Sequence, residues 1–474
     1  MFHFSNSEFI NFELCRILST APYDGCDIAE FLEAAAQCTS KRSGGGGSFP
    51  DRWHSAWQTA GERAETVARE AEARGDSFSA RKAYLRACNY FRASQYMMLP
   101  TNAATNDEVP RILAISERSV LNFERAIPLL HHDNVCTVEK MTIPLQGERK
   151  SVNLPGYLFT PPSHKRLSCG RKTPVLIVTC GADSSQEEHY FMYAAAAVQL
   201  GYAVVTFEGP GQGVVLRRQK LAFRPDWEVV VAAVLDELWA MMDARPDLRD
   251  LLDKDGVAIA GSSMGGYLAL RGAADPRVSA CVSVDPFYSL WDFARVRVPP
   301  GPVTWWAAGW FPDSVLDRIV ALVPYVSSDF QSRWEFEMSK WMFGTQRATD
   351  TFRRTMQFSF GPPPAAHAHA HAVGVDVDSS TENNFLRRIK CPVMVTGAGQ
   401  SLYFRNLDES TNRIYREMVN VPDADKQIWV ADRASEGGVQ AKIGAFAMMH
   451  VKMFAFLDDK FGIQRDLKHV SSKL

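Results

Sequence analysis

The sequence predicts an α/β fold, a mostly parallel sheet with helices on both faces, preceded by a helical region. Three observations carry this. From about residue 138 onward, short β-branched runs alternate with helical stretches, the pattern of parallel strands joined by crossover helices. Glycine-rich turns fall at the carboxyl ends of the predicted strands, where open parallel sheets carry their chemistry. The first 135 residues hold no convincing strand and show apolar positions at three- and four-residue spacing.

Taken in order, helices are predicted from Phe9 to Leu18, Ile28 to Ala36, Trp53 to Ala73, Ala80 to Leu99 and Val109 to Leu130. Glu139 to Leu145 and Gly156 to Thr160 read as two antiparallel lead-in strands. Pro174 to Thr179 and Tyr202 to Phe207 are continuous apolar, β-branched runs, as strands buried on both faces must be. Helices are predicted from Glu187 to Leu200 and from Asp226 to Met242. Val257 to Ala260 and Ala280 to Val284 are further strands. The alternation then breaks into a Trp-, Phe- and Pro-rich insertion. Pro392 to Val395 and Gln427 to Ala431 resume the sheet, and Gln440 to Phe461 reads as a closing helix. This divides the chain into a helical cap region at 1–135, a first core segment at 136–294, an inserted helical lid at 295–385 and a second core segment at 386–474.

Composition narrows the function classes. The 474 residues suffice for two or three cores, and a net charge of −2 gives no basic field for nucleic acid. The opening residues lack a basic stretch followed by an apolar one, and no run of about 18 apolar residues occurs. A soluble cytoplasmic protein without a membrane partner is therefore expected. The nine cysteines are scattered without a C-x-x-C pair and read as buried thiols. Ser43 to Ser48 is a flexible-linker sequence. His367-Ala-His-Ala-His371 reads as a polar loop rather than a metal tract. No cofactor and no metal are expected; a small-molecule substrate is the expected partner, and a homodimer is compatible with the chain.

Gly261-Ser262-Ser263-Met264-Gly265-Gly266 fits G-x-S-x-G between a predicted strand and a predicted helix. That is the context of a nucleophile elbow, a sharp turn with the serine at its tip and a helix N-terminus beneath the reacting oxygen. The motif in this setting specifies an α/β-hydrolase fold with Ser263 as nucleophile. Oxyanion donors are expected from Met264 and from the loop after the Pro174–Thr179 strand, at Gly181, Ala182 or Asp183; Asp183 reads more readily as a loop or cap residue than as an acid.

The segments Phe207-Glu-Gly-Pro-Gly-Gln-Gly213, Arg224-Pro-Asp-Trp-Glu228, Gly261 to Ala269, Ala87 to Ala93 and Gly437 to Gly444 together resemble the α/β-hydrolases related to 2,6-dihydroxypseudooxynicotine hydrolase. The resemblance is similar in kind to that of fungal members from polyketide and polyketide–peptide pathways. It implies a site between the sheet and the helical cap, and, from the bacterial namesake, cleavage of a carbon–carbon bond beside a ketone by a Ser–Asp–His triad.

The chain departs from that pattern. The fold orders its triad Ser, Asp or Glu, then His. At the expected acid position stands Gln400, and the loop after the last strand holds Glu436 and no histidine. A serine hydroxyl without a base is a poor nucleophile. Replacement candidates are His189, the three histidines of 367–371, His450 and Glu436, with Asp285 as an acid after the preceding strand. Trp305, Trp306 and Trp310 of the insertion, with Tyr267, are candidate pocket residues for an apolar ligand. The expected function is an enzyme acting through Ser263 on an apolar, carbonyl-bearing small molecule in secondary-metabolite biosynthesis; a non-hydrolytic cyclase using the same pocket and an inactive binding member are the alternatives.

Overall fold

The computed structural model describes residues 3–39, 48–100, 108–147, 151–167, 170–297, 300–326, 330–361, 384–404 and 406–465. Most of the linker-like segment and the three clustered histidines lie outside the described residues. Eight strands form one sheet in the order β1-β2-β4-β3-β5-β6-β7-β8. They are β1 Thr137–Gln146, β2 Ser151–Thr160, β3 Thr173–Thr179, β4 Ala203–Phe207, β5 Leu252–Ser262, β6 Ala280–Val284, β7 Val393–Ala398 and β8 Lys426–Ala431. β1 and β2 are antiparallel, and β2 meets β4 antiparallel; every later pairing is parallel. This is the α/β-hydrolase fold.

The central parallel strands β3, β4 and β6 are buried at every position, as strands covered on both faces by helices must be. All seven residues of β3 and all five of β4 are buried. The predicted helix after β3 begins at Gln186 but carries a π turn over Tyr190–Ala194. Such a wide turn commonly marks a functional site, and this one follows directly on the loop after β3. The helix expected from Gln440 is shorter, Phe446–Phe461. Ala441 and Lys442 both have φ of 57°, a left-handed conformation that no helix tolerates.

Before the sheet come α1 Glu8–Leu18, α2 Ile28–Thr39, α3 Phe49–Ala73, α4 Ser77–Tyr96 and α5 Glu108–His132. α4 is the centre of this region. It is capped by Asp76, whose carboxylate accepts from the Ser79 N–H at 3.0 Å, and it is buried almost all round. Trp53, Trp57 and Tyr90 pack with tilted rings where α3 meets α4. Between β6 and β7 lie five helices from Leu290 to Met356. Trp291, Val303, Trp306, Leu316 and Phe352 give them a small core of their own. Among the described residues no helix is long and apolar enough to cross a membrane.

Candidate active site

Ser263 sits between β5 and the Met264–Gly272 helix with φ 57° and ψ −118°. A non-glycine residue there is strained, and the strain is held by its surroundings. Its N–H donates to the Val284 carbonyl at 2.8 Å, and its own carbonyl accepts from Tyr267 N–H at 3.1 Å. The flanking glycines are required by close approach. A Cβ on Gly261 would stand 2.3 Å from the Gly265 carbonyl oxygen, and one on Gly265 would stand 2.5 Å from that of Thr179. The turn therefore brings the helix N-terminus against the end of β3.

The serine lines a cavity of about 1150 Å³, its mouth included. Met264 and Gly181 to Ser184 line the same cavity. The rest of the wall is mainly apolar: Phe12 from α1, Met192 behind the 181–184 loop, Phe287 and Phe293, Trp334, Met338 and Met342 from the lid helices, and Tyr403 and Phe404 after β7. The cap, the sheet and the lid all contribute.

The 181–184 loop is pinned from behind. The Gly181 N–H donates to Ser184 Oγ at 2.7 Å, and Ser184 Oγ lies 3.2 Å from His189 Nε2. The Gly181 N–H is thus already engaged within the loop. Asp183 is an anchor: its Oδ2 accepts from Arg16 at 2.9 Å and from the Tyr96 hydroxyl. Arg16 also grips Glu188 with two bonds of 2.7 and 2.6 Å. These buried contacts tie α1 and α4 to the loop.

The Arg16 and Arg92 guanidiniums hold the Glu188 carboxyl down at about 2 against the opposing effect of its burial. Burial pushes the nearby Glu13 carboxyl up to about 7. A raised folded-state value means stability fully present below the ordinary value of 4.5 and lost as pH rises through about 7. Urea titrations at pH 4 and pH 8 should show this loss, and Glu13→Gln should remove it, raising stability at pH 8 by about 1–3 kcal/mol while changing little at pH 4.

His189, one of the candidate bases, does line the cavity, but burial drives its imidazole down to about 4. It is a neutral, weak base that holds Ser184. His450 is engaged elsewhere, with the Tyr23 hydroxyl at 2.8 Å and the Met192 carbonyl at 2.7 Å. Asp285 lies at the end of β6 with φ 48°, but it is not a free acid. Lys442 Nζ sits 2.8 Å from its Oδ1, and the Thr396 hydroxyl donates to the same oxygen at 2.6 Å.

Gln400 and Glu436 are exposed and off the cavity wall. The turn before the last helix brings Gln440, Ala441 and Ile443 to the wall instead. Gln440 is fixed at both ends, its Nε2 donating to the Asp285 carbonyl at 2.9 Å and its Oε1 accepting from Ser401 at 2.6 Å. Among the described residues no side chain hydrogen-bonds the Ser263 hydroxyl.

The aromatic expectation also shifts. Trp305 and Trp310 are exposed and stack on each other, and Trp306 is in the lid's own core with its indole N–H on Asp313. Tyr267 is buried behind the wall, stacked on Phe287. The cavity's tryptophan is Trp334, held by its indole N–H on the Tyr96 carbonyl at 2.8 Å. No spacing rule in the sequence separates Trp334 from the other lid tryptophans, or singles out Arg16 on an otherwise ordinary amphipathic helix.

Comparison with known proteins agrees with this fold. The model of the alpha/beta hydrolase family matches residues 175–435. The chain is 41% identical to the hydrolyase poxO of Penicillium oxalicum, over 98% of this chain and 100% of that protein. It is 43% identical to the hydrolase ORFZ of Pyricularia oryzae, over 98% and 99%. The crystal structure of 2,6-dihydroxy-pseudo-oxynicotine hydrolase superposes with a TM-score of 0.62, covering 93% of this chain and 95% of that one at 17% identity, which is a likeness of fold.

Proposed function

The chain belongs to the alpha/beta hydrolase family, and from that premise we propose that it is an enzyme acting on an apolar, carbonyl-bearing small molecule of the polyketide type made in secondary metabolism. One observation carries the reading: Ser263 is thrust by a strained backbone into a largely apolar cavity beside the Met264 helix N-terminus and the 181–184 loop. An aliphatic or aromatic substrate body packs against Phe287, Trp334 and Phe404, and its carbonyl points at Ser263. The N–H of Met264, first in its helix and with no turn beneath it, and that of Ala182 or Asp183 take up charge developing on the carbonyl oxygen. Ser263 Oγ adds to the carbonyl carbon, the bond to the departing alcohol, acyl or carbon fragment breaks as that fragment takes up the hydroxyl proton, and water then releases the acyl group from the serine.

A second reading, ring closure without hydrolysis, is favoured by one feature. Asp285 is paired with Lys442, Gln440 is immobilised and burial holds His189 down at about 4, so the hydroxyl of Ser263 has no strong base beside it. In that case the pocket holds the substrate folded and polarises its carbonyl. A fluorophosphonate probe separates the two. Nucleophilic catalysis gives stable labelling of Ser263, absent in Ser263→Ala, together with a loss of turnover of about 10³-fold or more in that variant. Product formation that survives Ser263→Ala in an unlabelled protein would replace hydrolysis with ring closure.

A further inference from the structure

We propose that a second, smaller cavity beside the Ser263 cavity is a binding subsite for a carboxylate, built on Arg92 and Arg217. It has a volume of about 330 Å³, its mouth included, and it shares the wall residues Asp183, Trp334 and Met338 with the larger cavity. Its polar lining is Arg92, Gln95, Tyr96, Asp183 and Arg217.

Both arginines keep unmet donors, although Arg92 Nε donates to Asn89 Oδ1 at 3.0 Å. Arg92 is 5% exposed, yet both its terminal nitrogens are buried without a hydrogen bond. Its Nη1 has only an ion-pair contact at 3.4 Å to Glu188 Oε1, an oxygen already bonded by Arg16 at 2.7 Å. The Nε of Arg217 is likewise buried without an acceptor, and the group rests against the Trp341 ring at 5.6 Å. Among the described residues Arg217 has no ion pair within 4 Å. A buried guanidinium with unmet donors calls for an unseen ligand or ion.

The carboxylates nearby do not fill this role. Asp183 is held by Arg16 and Tyr96, and Glu188 by Arg16. Glu208, whose charge acts most strongly on Arg217, is itself taken up by the Gln186 and Val214 N–H groups at 3.2 and 2.6 Å, so the guanidinium donors beside the small cavity stay unmet. The remaining wall is apolar: Met98, Ile112, Trp334, Met338 and Trp341. Such a wall strips water poorly from a multiply charged, strongly hydrated ion but suits a planar carboxylate on an apolar stem, which forked guanidiniums recognise well. The ligand is the acidic end of a molecule that also enters the Ser263 cavity, or a separate small organic acid. The assignment does not depend on what Ser263 does.

Titration calorimetry of the full chain with sodium acetate, against sodium chloride at equal ionic strength, tests it. Saturable acetate binding is expected in the natural protein, weakened about tenfold or more in Arg217→Met. Folding of that variant is checked by its unfolding temperature, because Arg217 also acts on the buried Glu208 and packs on Trp341. Arg92→Gln gives a second reading, checked for folding by near-ultraviolet circular dichroism. Absence of saturable heat, binding undiminished in both variants, or inorganic phosphate binding more tightly than acetate would overturn the proposal. Decanoate distinguishes the source. Affinity about tenfold or more above that of acetate, with the same loss in Arg217→Met, places the acid on a ligand shared with the Ser263 cavity; equal affinities assign a free small acid.

Discussion

Lys442→Met is expected to destabilise the protein by about 3–5 kcal/mol, read as a lower urea midpoint. The Lys442 side chain is wholly buried, and that of Asp285 is 1% exposed. The ammonium also donates to the Gly397 carbonyl at 2.9 Å and lies over the Trp429 ring. Removing it strands a carboxylate whose second oxygen already lacks a hydrogen bond. Adding Asp285→Asn to the variant should recover part of the loss, since the penalty is that of an unpaired buried charge; strictly additive losses would show that the pair is not coupled. Turnover should fall as well. Lys442 holds the left-handed turn that carries Gln440 and Ala441 to the cavity, so the cost reaches the substrate's wall without Lys442 touching it.

Gly265→Ala should have an effect of comparable size on activity, by a different route. The added methyl would meet the backbone oxygens of Thr179 at 2.5 Å and Cys180 at 3.1 Å. Neither is the end of a flexible side chain that can swing aside. The helix N-terminus must therefore draw back from the 181–184 loop. A displacement of even about 1 Å between donors and reacting carbon costs roughly a hundredfold in rate, with overpacking adding about 1–3 kcal/mol of lost stability. The measurements are kcat/KM and the urea midpoint, and a variant with a normal rate would mean that the elbow does not set the geometry of the reaction.

The elbow was legible in the chain because its requirements are local. A glycine at 261, a serine at 263 and a glycine at 265 between a β-branched run and a helix leave little else for the backbone to do. The buried parallel strands were legible for a similar reason, since a strand covered on both faces must be apolar throughout. The rest of the site was not. His189 and Asp285 were marked as titratable groups in suggestive places, but their chemistry depends on what packs around them: burial for the imidazole, Lys442 for the carboxylate. Gln400 and Glu436 followed from aligning loops to strand ends. The structure instead folds the chain past them and uses Gln440 and Ala441, because Lys442 and Gln440 are drawn back to Asp285 and bend the last helix's approach.

What the sequence alone determined is thus the order of strands and helices, the hydrolase architecture and the position of Ser263, all written in short-range periodicity and turn chemistry. What only the tertiary structure decided is which distant groups converge on that serine. Arg16, Trp334 and Gln440 reach one cavity wall from the cap, the lid and the final turn. Contacts between residues hundreds of positions apart are set by the packing of whole layers, and no local spacing in the chain encodes them.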